Sequence, residues 1–108
     1  MDSGVHFIET PIFTKQILEL LEDADFRRFQ IQLALNPEAG EIIRGGGCLR
    51  KIRWAVQGRG KRGGIRIIYY LIEKDEIYLL FAYQKNQQEN LTAEQLKILR
   101  KLVKEEFQ

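Results

Sequence analysis

Two stretches near the start of the chain repeat apolar residues at the three- and four-residue spacing of a helix. The first follows a short apolar strand at 5–9 and a proline at position 11, and its apolar residues are Ile12, Phe13, Ile17, Leu18, Leu20 and Leu21. The second begins near Asp23 and ends at Asn36, because the residue before Pro37 disfavours the helical conformation. This pattern predicts a helical hairpin that packs on a sheet.

Residues 49–56 alternate at the two-residue period of a β-strand. Apolar and basic side chains fall on opposite faces of this strand, with Ile52, Trp54 and Val56 on one face and Lys51 and Arg53 on the other. Such alternation is typical of a half-buried antiparallel strand. The segment before it, 37–47, has the composition of a loop, and the glycine-rich segment 58–64 has the length of a hairpin connection.

Two further strands, 65–73 and 76–84, are predicted from runs of β-branched and aromatic residues joined by the polar pair Lys74-Asp75. Both faces of these strands are largely apolar, so other elements are expected to cover each side of the sheet. A last helix is expected to begin at Thr92, because Thr92 and Gln95 have the spacing of a capping box. Its apolar stripe is Leu96, Leu99, Leu102 and Val103, and its opposite face carries Lys97, Arg100, Lys101 and Lys104.

The predicted order of elements is β-α-α-β-β-β-α, and 108 residues suit a single domain, 1–108. Hydrophobic residues make up 44% and charged residues 30%, a globular balance. No apolar run approaches the ~20 residues of a membrane span, and the N-terminus lacks the features of a signal peptide. The single Cys48 has no partner for a disulfide or a metal site. A soluble cytoplasmic protein without a cofactor or a metal is therefore expected.

Positive charge is concentrated between Arg50 and Arg66. This stretch holds seven of the 17 basic residues and no acid, although the chain has 15 acidic residues and a net charge of only +2. Lys51, Arg53 and Arg66 can share one sheet face if the two strands that carry them pair. Such cations repel one another unless an anion binds there, and a phosphodiester suits both guanidinium and ammonium groups.

Some of these cations have an ordinary alternative explanation. The hairpin-tip residues Arg59, Lys61 and Arg62 either contact a partner or are simply solvated. Arg66 lies among apolar neighbours, where a charge costs free energy unless it is paired. It is therefore expected either to form a salt bridge with a core acid or to bind a substrate phosphate. The lone His6 is interpreted as a structural strand residue, and the glycine-rich GRGKRGG matches no nucleotide-binding pattern.

The segment 49–95 resembles the RelE/ParE toxin superfamily, in particular its HigB-like RelE branch. The similarity rests on five pieces in a fixed order, LRKIR, GRGKRGG, RIIYYL, YLLFAYQKN and LTAEQ. Any one piece is a weak signal, whereas the combination is quite specific. The resemblance implies a compact α+β fold with a mainly antiparallel twisted sheet, an N-terminal helical hairpin and a C-terminal helix.

The resemblance also implies an activity and a set of partners. Members of this branch are toxins of type II toxin–antitoxin pairs and ribosome-dependent mRNA interferases. They cut the codon in the ribosomal A site by attack of a 2′-hydroxyl on the adjacent phosphate, which inhibits translation. The implied partners are a cognate antitoxin, the ribosome and mRNA, with operator DNA contacted only through the antitoxin complex. An acidic antitoxin segment is expected either to cover the basic groove or to displace a mobile helix.

Roles for individual residues follow from the resemblance, position by position. Lys51 is expected to transfer a proton or contact phosphate, and Arg53 to contact phosphate. Arg66 is expected to stabilise charge on the pentacoordinate phosphorus in the transition state. Lys85 matches a further basic position of the catalytic set. Other RNA contacts are expected from Arg50, Arg59, Lys61, Arg62, Tyr83 and Asn86, although core packing explains Tyr83 equally well.

The residues leave two points open, the general base and the class of activity. The tyrosine that some family members use as a base has no counterpart in 87–92, and a lysine can serve only if neighbouring cations depress its pKa. A ParE-like inhibitor of DNA gyrase without nuclease activity is the main alternative, because a shared fold does not determine activity. A third possibility is a non-enzymatic module that binds RNA or DNA through the GRGKRGG hairpin, with steep salt dependence.

Overall fold

Three helices and one five-stranded sheet make up the part of the chain that the structure describes. The structure is a computed structural model and describes residues 4–55 and 64–107. Its elements are β1 (His6–Glu9), α1 (Pro11–Leu20), α2 (Asp23–Leu35), β2 (Glu41–Ile42), β3 (Leu49–Trp54), β4 (Ile65–Glu73), β5 (Glu76–Gln84) and α3 (Ala93–Phe107). The helices within these ranges are too short or too polar to cross a bilayer. The predicted α+β fold is confirmed.

The sheet has the strand order β1-β5-β4-β3-β2. β1 runs parallel to β5, and all other neighbouring strands are antiparallel. The prediction of a plain loop at 37–47 was wrong in one respect, because β2 lies inside this segment and pairs with β3. A strand of two residues is too short to show an alternating pattern, so its pairing depends on contacts made after folding.

The helical hairpin of α1 and α2 covers one face of the sheet. Thr10 fixes the start of α1, because its Oγ1 accepts a hydrogen bond from the Phe13 N–H (3.0 Å) and donates one to the Leu80 carbonyl oxygen (2.8 Å). The core on this face includes Phe13, Ile17, Phe29 and Leu33 from the helices and Ile67, Tyr69 and Leu79 from the sheet. Burial of each large apolar side chain contributes about 2 kcal/mol, so this face anchors the fold.

Helix α3 covers the opposite face of the sheet. The capping box forms as predicted, with the Gln95 N–H donating to Thr92 Oγ1 (3.0 Å) and the Thr92 N–H donating to Gln95 Oε1 (2.9 Å). Leu99 and Val103 of α3 belong to the same buried cluster as Leu49 of β3. Four residues of β-strand cover ~13 Å, so Arg53, near the end of β3, lies beyond this contact.

Candidate functional site

Cations from β3 and β4 meet on one face of the sheet. Antiparallel pairing places Arg53 directly opposite Arg66 and Lys51 directly opposite Ile68. Residues paired in this way have Cβ atoms about 5 Å apart and lie on the same sheet face. Lys51, Arg53 and Arg66 therefore share one face, as they would in the pairing considered from the sequence.

These cations line a surface cavity of about 480 Å³, which we call the basic pocket. Its lining combines four cations, two carboxylates and three uncharged residues, namely Lys51, Arg53, Arg66, Lys85, Glu41, Glu89, Ala39, Ile52 and Asn90. The four residues predicted to be catalytic thus lie in one concavity, although they come from β3, β4 and the segment after β5. Lys51 Nζ donates a hydrogen bond to Asn90 Oδ1 (3.2 Å), and the Lys85 N–H donates to the Gly64 carbonyl oxygen (3.2 Å).

Arg66 is the most deeply buried cation of the basic pocket, with only 6% of its surface exposed. Within the described ranges, no carboxylate lies within 4.0 Å of its guanidinium group, so the salt bridge considered from the sequence is not formed there. To the described residues its side chain makes one long hydrogen bond, from Nη1 to the Ile65 carbonyl oxygen (3.5 Å). By contrast, the buried Asp25 pairs with Arg28 at 2.7 Å. A guanidinium group has five N–H donors, and most of those of Arg66 have no partner among residues 4–55 and 64–107.

Two carboxylates of the basic pocket were missed by the sequence analysis. Glu41 begins β2 and is paired directly with Lys51, which places both side chains at the same side of the sheet. Glu89 lies in the exposed segment between β5 and α3. No periodic pattern marks either residue. A carboxylate oxygen can accept a proton, so this pair supplies the kind of group that the sequence left unassigned as the general base.

Arg50, which was predicted to contact RNA, is not among the residues that line the basic pocket. Its Nη1 donates to the carbonyl oxygens of Glu38 (3.2 Å) and Gly40 (2.8 Å), and its Nη2 lies 3.7 Å from Glu38 Oε1. Residues that neighbour one another along a strand point to opposite faces, so Arg50 faces away from Lys51. These contacts stabilise the loop that leads into β2.

Tyr83 and Asn86 were predicted to contact RNA bases, and neither lines the basic pocket. Tyr83 is paired with Arg66 but is only 5% exposed, and its ring packs 6.2 Å from that of Phe81. Burial raises the pKa of the Tyr83 hydroxyl, and the nearby Arg66 charge offsets part of this rise. A buried phenol with a raised pKa is neutral at pH 7 and poorly placed to stack on a base. Arg59, Lys61 and Arg62 lie outside the described residues.

Tyr69 forms hydrogen bonds with the loop that precedes Glu41, a residue that lines the basic pocket. Its hydroxyl donates to the Pro37 carbonyl oxygen (2.7 Å) and accepts from the Gly40 N–H (2.8 Å). A Cβ atom at position 40 would lie only 2.7 Å from Tyr69 Cε1, so this close approach requires glycine. Burial raises the pKa of Tyr69, and the hydrogen bond from Gly40 opposes that rise. The contact fixes the backbone immediately before Glu41.

We expect Tyr69→Phe to lower the free energy of unfolding by about 1–3 kcal/mol, because the buried Gly40 N–H loses its acceptor. Urea denaturation followed by circular dichroism would measure the change. Tyr70→Phe is a matched control, since the Tyr70 hydroxyl forms no hydrogen bond within the described ranges. Equal stability of the wild type and Tyr69→Phe would show that the loop does not depend on this contact.

A family model described as the RelE toxin of the RelE/RelB toxin–antitoxin system matches residues 21–108. This range covers most of the chain and contains every residue that lines the basic pocket. Among the described residues, no group of three or more His, Cys, Asp or Glu side chains is placed to hold a metal ion.

Proposed function

We propose that this chain, which belongs to the RelE family of toxins of toxin–antitoxin systems, is a ribosome-dependent endonuclease that cuts messenger RNA in the ribosomal A site. Membership of the family makes the chain a toxin with a cognate antitoxin and supports a general endoribonuclease role. The dependence on the ribosome and the position of the cut are our proposal. The gyrase-inhibitor alternative is not favoured by the family match.

The buried, unpaired guanidinium of Arg66 carries the proposal. Its burial costs free energy that no described carboxylate offsets, and Arg53, directly opposite, adds like-charge repulsion. A ligand with negative charge would offset this free-energy cost and so explain why the site contains a buried guanidinium group. A phosphodiester gains negative charge as it becomes pentacoordinate, so Arg66 would bind the transition state more tightly than the ground state.

The other pocket residues supply the remaining steps of a transesterification. A carboxylate, for which we propose Glu41, takes the proton from the 2′-hydroxyl as its oxygen bonds to the adjacent phosphorus. The bond from phosphorus to the 5′ oxygen breaks, and that oxygen receives a proton from the Lys51 ammonium group. The products are a 2′,3′-cyclic phosphate and a 5′-hydroxyl. Arg53 and Lys85 contact the phosphate oxygens and neutralise their charge.

Alignment of the message is assigned to the ribosome. The described residues that line the basic pocket include no aromatic side chain, and Tyr83 is buried. The pocket can therefore bind a phosphate but has little means to hold a base in position. Holding the reacting groups in an attack geometry is a large part of catalysis, and a bound message on the ribosome supplies it. Contacts from Asn86 and the hairpin-tip cations Arg59, Lys61 and Arg62 stay part of the proposal.

The experiment that tests this function is the mapping of RNA 5′ ends after brief induction, combined with cleavage by the purified protein. New ends should fall within A-site codons, and purified protein should cut a message on ribosomes but leave the same naked RNA intact. Equal cutting of naked RNA would contradict the ribosome dependence. An arrest of DNA replication that precedes any loss of protein synthesis would instead favour inhibition of gyrase.

A further inference from the structure

A second basic concavity lies between α3 and the turn that precedes β3. We call it the α3 groove, and its volume is about 350 Å³. Its charged lining residues are all cations, namely Lys97, Arg100, Lys101 and Lys104. Leu49 and Val103 contribute apolar surface. The α3 groove shares no lining residue with the basic pocket, so the proposed reaction leaves its charge unexplained.

The spacing of these cations points to a ligand rather than to stabilisation of the helix. Lys97, Arg100, Lys101 and Lys104 recur at three- and four-residue intervals, which places them on one helix face over ~10 Å. Like charges at this spacing destabilise a helix by a few tenths of a kcal/mol per pair. α3 also carries Glu94, Glu105 and Glu106, but no ion pair joins them to these cations in the described part of the chain. Within the described ranges, these four cations are therefore held together without a salt bridge to a carboxylate.

The opposite wall of the α3 groove gives a ligand close access to these cations. It is formed in part by Gly46 and Gly47, and Gly47 has a φ of 67°, a conformation that favours glycine. The Nε atom of Arg100 lies 4.0 Å from the position that a Cβ atom at residue 47 would occupy. This wall is largely backbone, so a broad anionic ligand can lie against the helix face.

We propose that the α3 groove binds the sugar–phosphate backbone of double-helical RNA. The inference rests on the proposed function, under which this RNA belongs to the ribosome. Single-stranded RNA is usually held by stacking its bases on aromatic side chains, and none lines the α3 groove among the described residues. A double helix turns its bases inward and presents phosphates, which cations alone can bind.

The position of the α3 groove relative to β3 explains what such docking would achieve. Leu49 lines the α3 groove and Arg53 lines the basic pocket, and both belong to β3. They are four positions apart along the strand, which corresponds to ~13 Å. Because one strand joins the two sites, binding of structured RNA in the groove would hold the basic pocket at a fixed distance from that RNA. The basic pocket would then already be positioned relative to the ribosomal RNA when the mRNA reaches it.

Equilibrium binding to message-free ribosomes over a range of salt concentrations tests this proposal. The protein carries Arg66→Met in every sample, so that no cleavage disturbs the measurement. The groove variant adds Lys97→Gln, Lys101→Gln and Lys104→Gln, and the matched control adds Lys15→Gln, Arg27→Gln and Lys74→Gln. Glutamine has nearly the helix propensity of lysine, so α3 should persist, which circular dichroism would verify.

The groove variant should bind at least about tenfold more weakly at low salt, and its plot of log affinity against log salt should be shallower by about 2 to 3. The control should match the parent in both quantities. A short RNA duplex should compete with ribosomes better than a single strand of equal length. Unchanged slope and affinity in the groove variant, or an equal loss in the control, would overturn the proposal.

Two further outcomes would assign the α3 groove to another ligand. Stronger competition by the single strand would overturn the choice of double-helical RNA. A groove variant that loses the antitoxin but binds ribosomes normally would show a protein-binding surface instead. The proposed nuclease function is tested separately with the otherwise wild-type protein. If that protein binds ribosomes through the groove but cuts no message, the function fails while the groove assignment stands.

Discussion

Replacing Arg66 with methionine should lower the rate of mRNA cleavage on ribosomes by about 100-fold or more, with an increase in stability of about 1 kcal/mol. The loss of rate follows from the loss of the group that binds the developing charge on phosphorus. The gain in stability follows because Arg66 is buried without a carboxylate partner in the described ranges and faces Arg53 across the strand pair. Methionine is similar in length and needs no counter-charge.

Opposite changes in rate and stability are the feature that separates this prediction from a structural role. An arginine that holds the fold together would lose both when it is replaced. Single-turnover cleavage of a message on ribosomes measures the first quantity, and urea denaturation measures the second. Arg66→Lys keeps the charge but not the paired N–H donors, so it should retain part of the rate.

Arg27→Met is the control for a general effect of removing a cation, since Arg27 is exposed on α2 and does not line the basic pocket. This variant should cut at the wild-type rate. If Arg66→Met were folded and cut the message as fast as wild type, Arg66 would have no role in the chemistry. If it were instead strongly destabilised, its burial would be explained by structure alone.

The strands around the basic pocket could be predicted in large part from local signals. Alternation placed Lys51 and Arg53 on the face opposite Ile52, and the turn at Lys74-Asp75 joined two strands whose observed bounds are those predicted. The capping-box spacing marked the start of α3. These features depend on residues close together in sequence, where periodicity and turn chemistry act directly.

The register between β3 and β4 and the two carboxylates of the basic pocket could not be predicted, because they depend on contacts between distant segments. Arg53 faces Arg66 only through the pairing of β3 with β4, across the segment 56–63. Glu41 reaches the pocket because Tyr69 and Arg50 hold the preceding loop against the sheet. A polar residue in a loop carries no periodic signal of such a position.

Replacing Glu41 with glutamine should lower the rate of cleavage by about 100-fold or more, while binding to ribosomes is unchanged. Glutamine has the same shape as glutamate but cannot accept the proton of the 2′-hydroxyl. Glu41 is favoured over Glu89 because β2 pairing fixes it opposite Lys51, whereas Glu89 lies in an exposed irregular segment. A general base needs a fixed position within hydrogen-bond reach of the proton it removes.

Glu89→Gln is the matched control, because it removes an equal charge from the same pocket. Single-turnover cleavage at saturating ribosome concentration separates the two variants, since a charge effect on binding would not lower the rate under that condition. A large loss in Glu41→Gln alone would identify the base. Similar losses of cleavage rate in both variants would mean that the two carboxylates act through the net charge of the pocket. A normal rate in Glu41→Gln would show that Glu41 is not the general base.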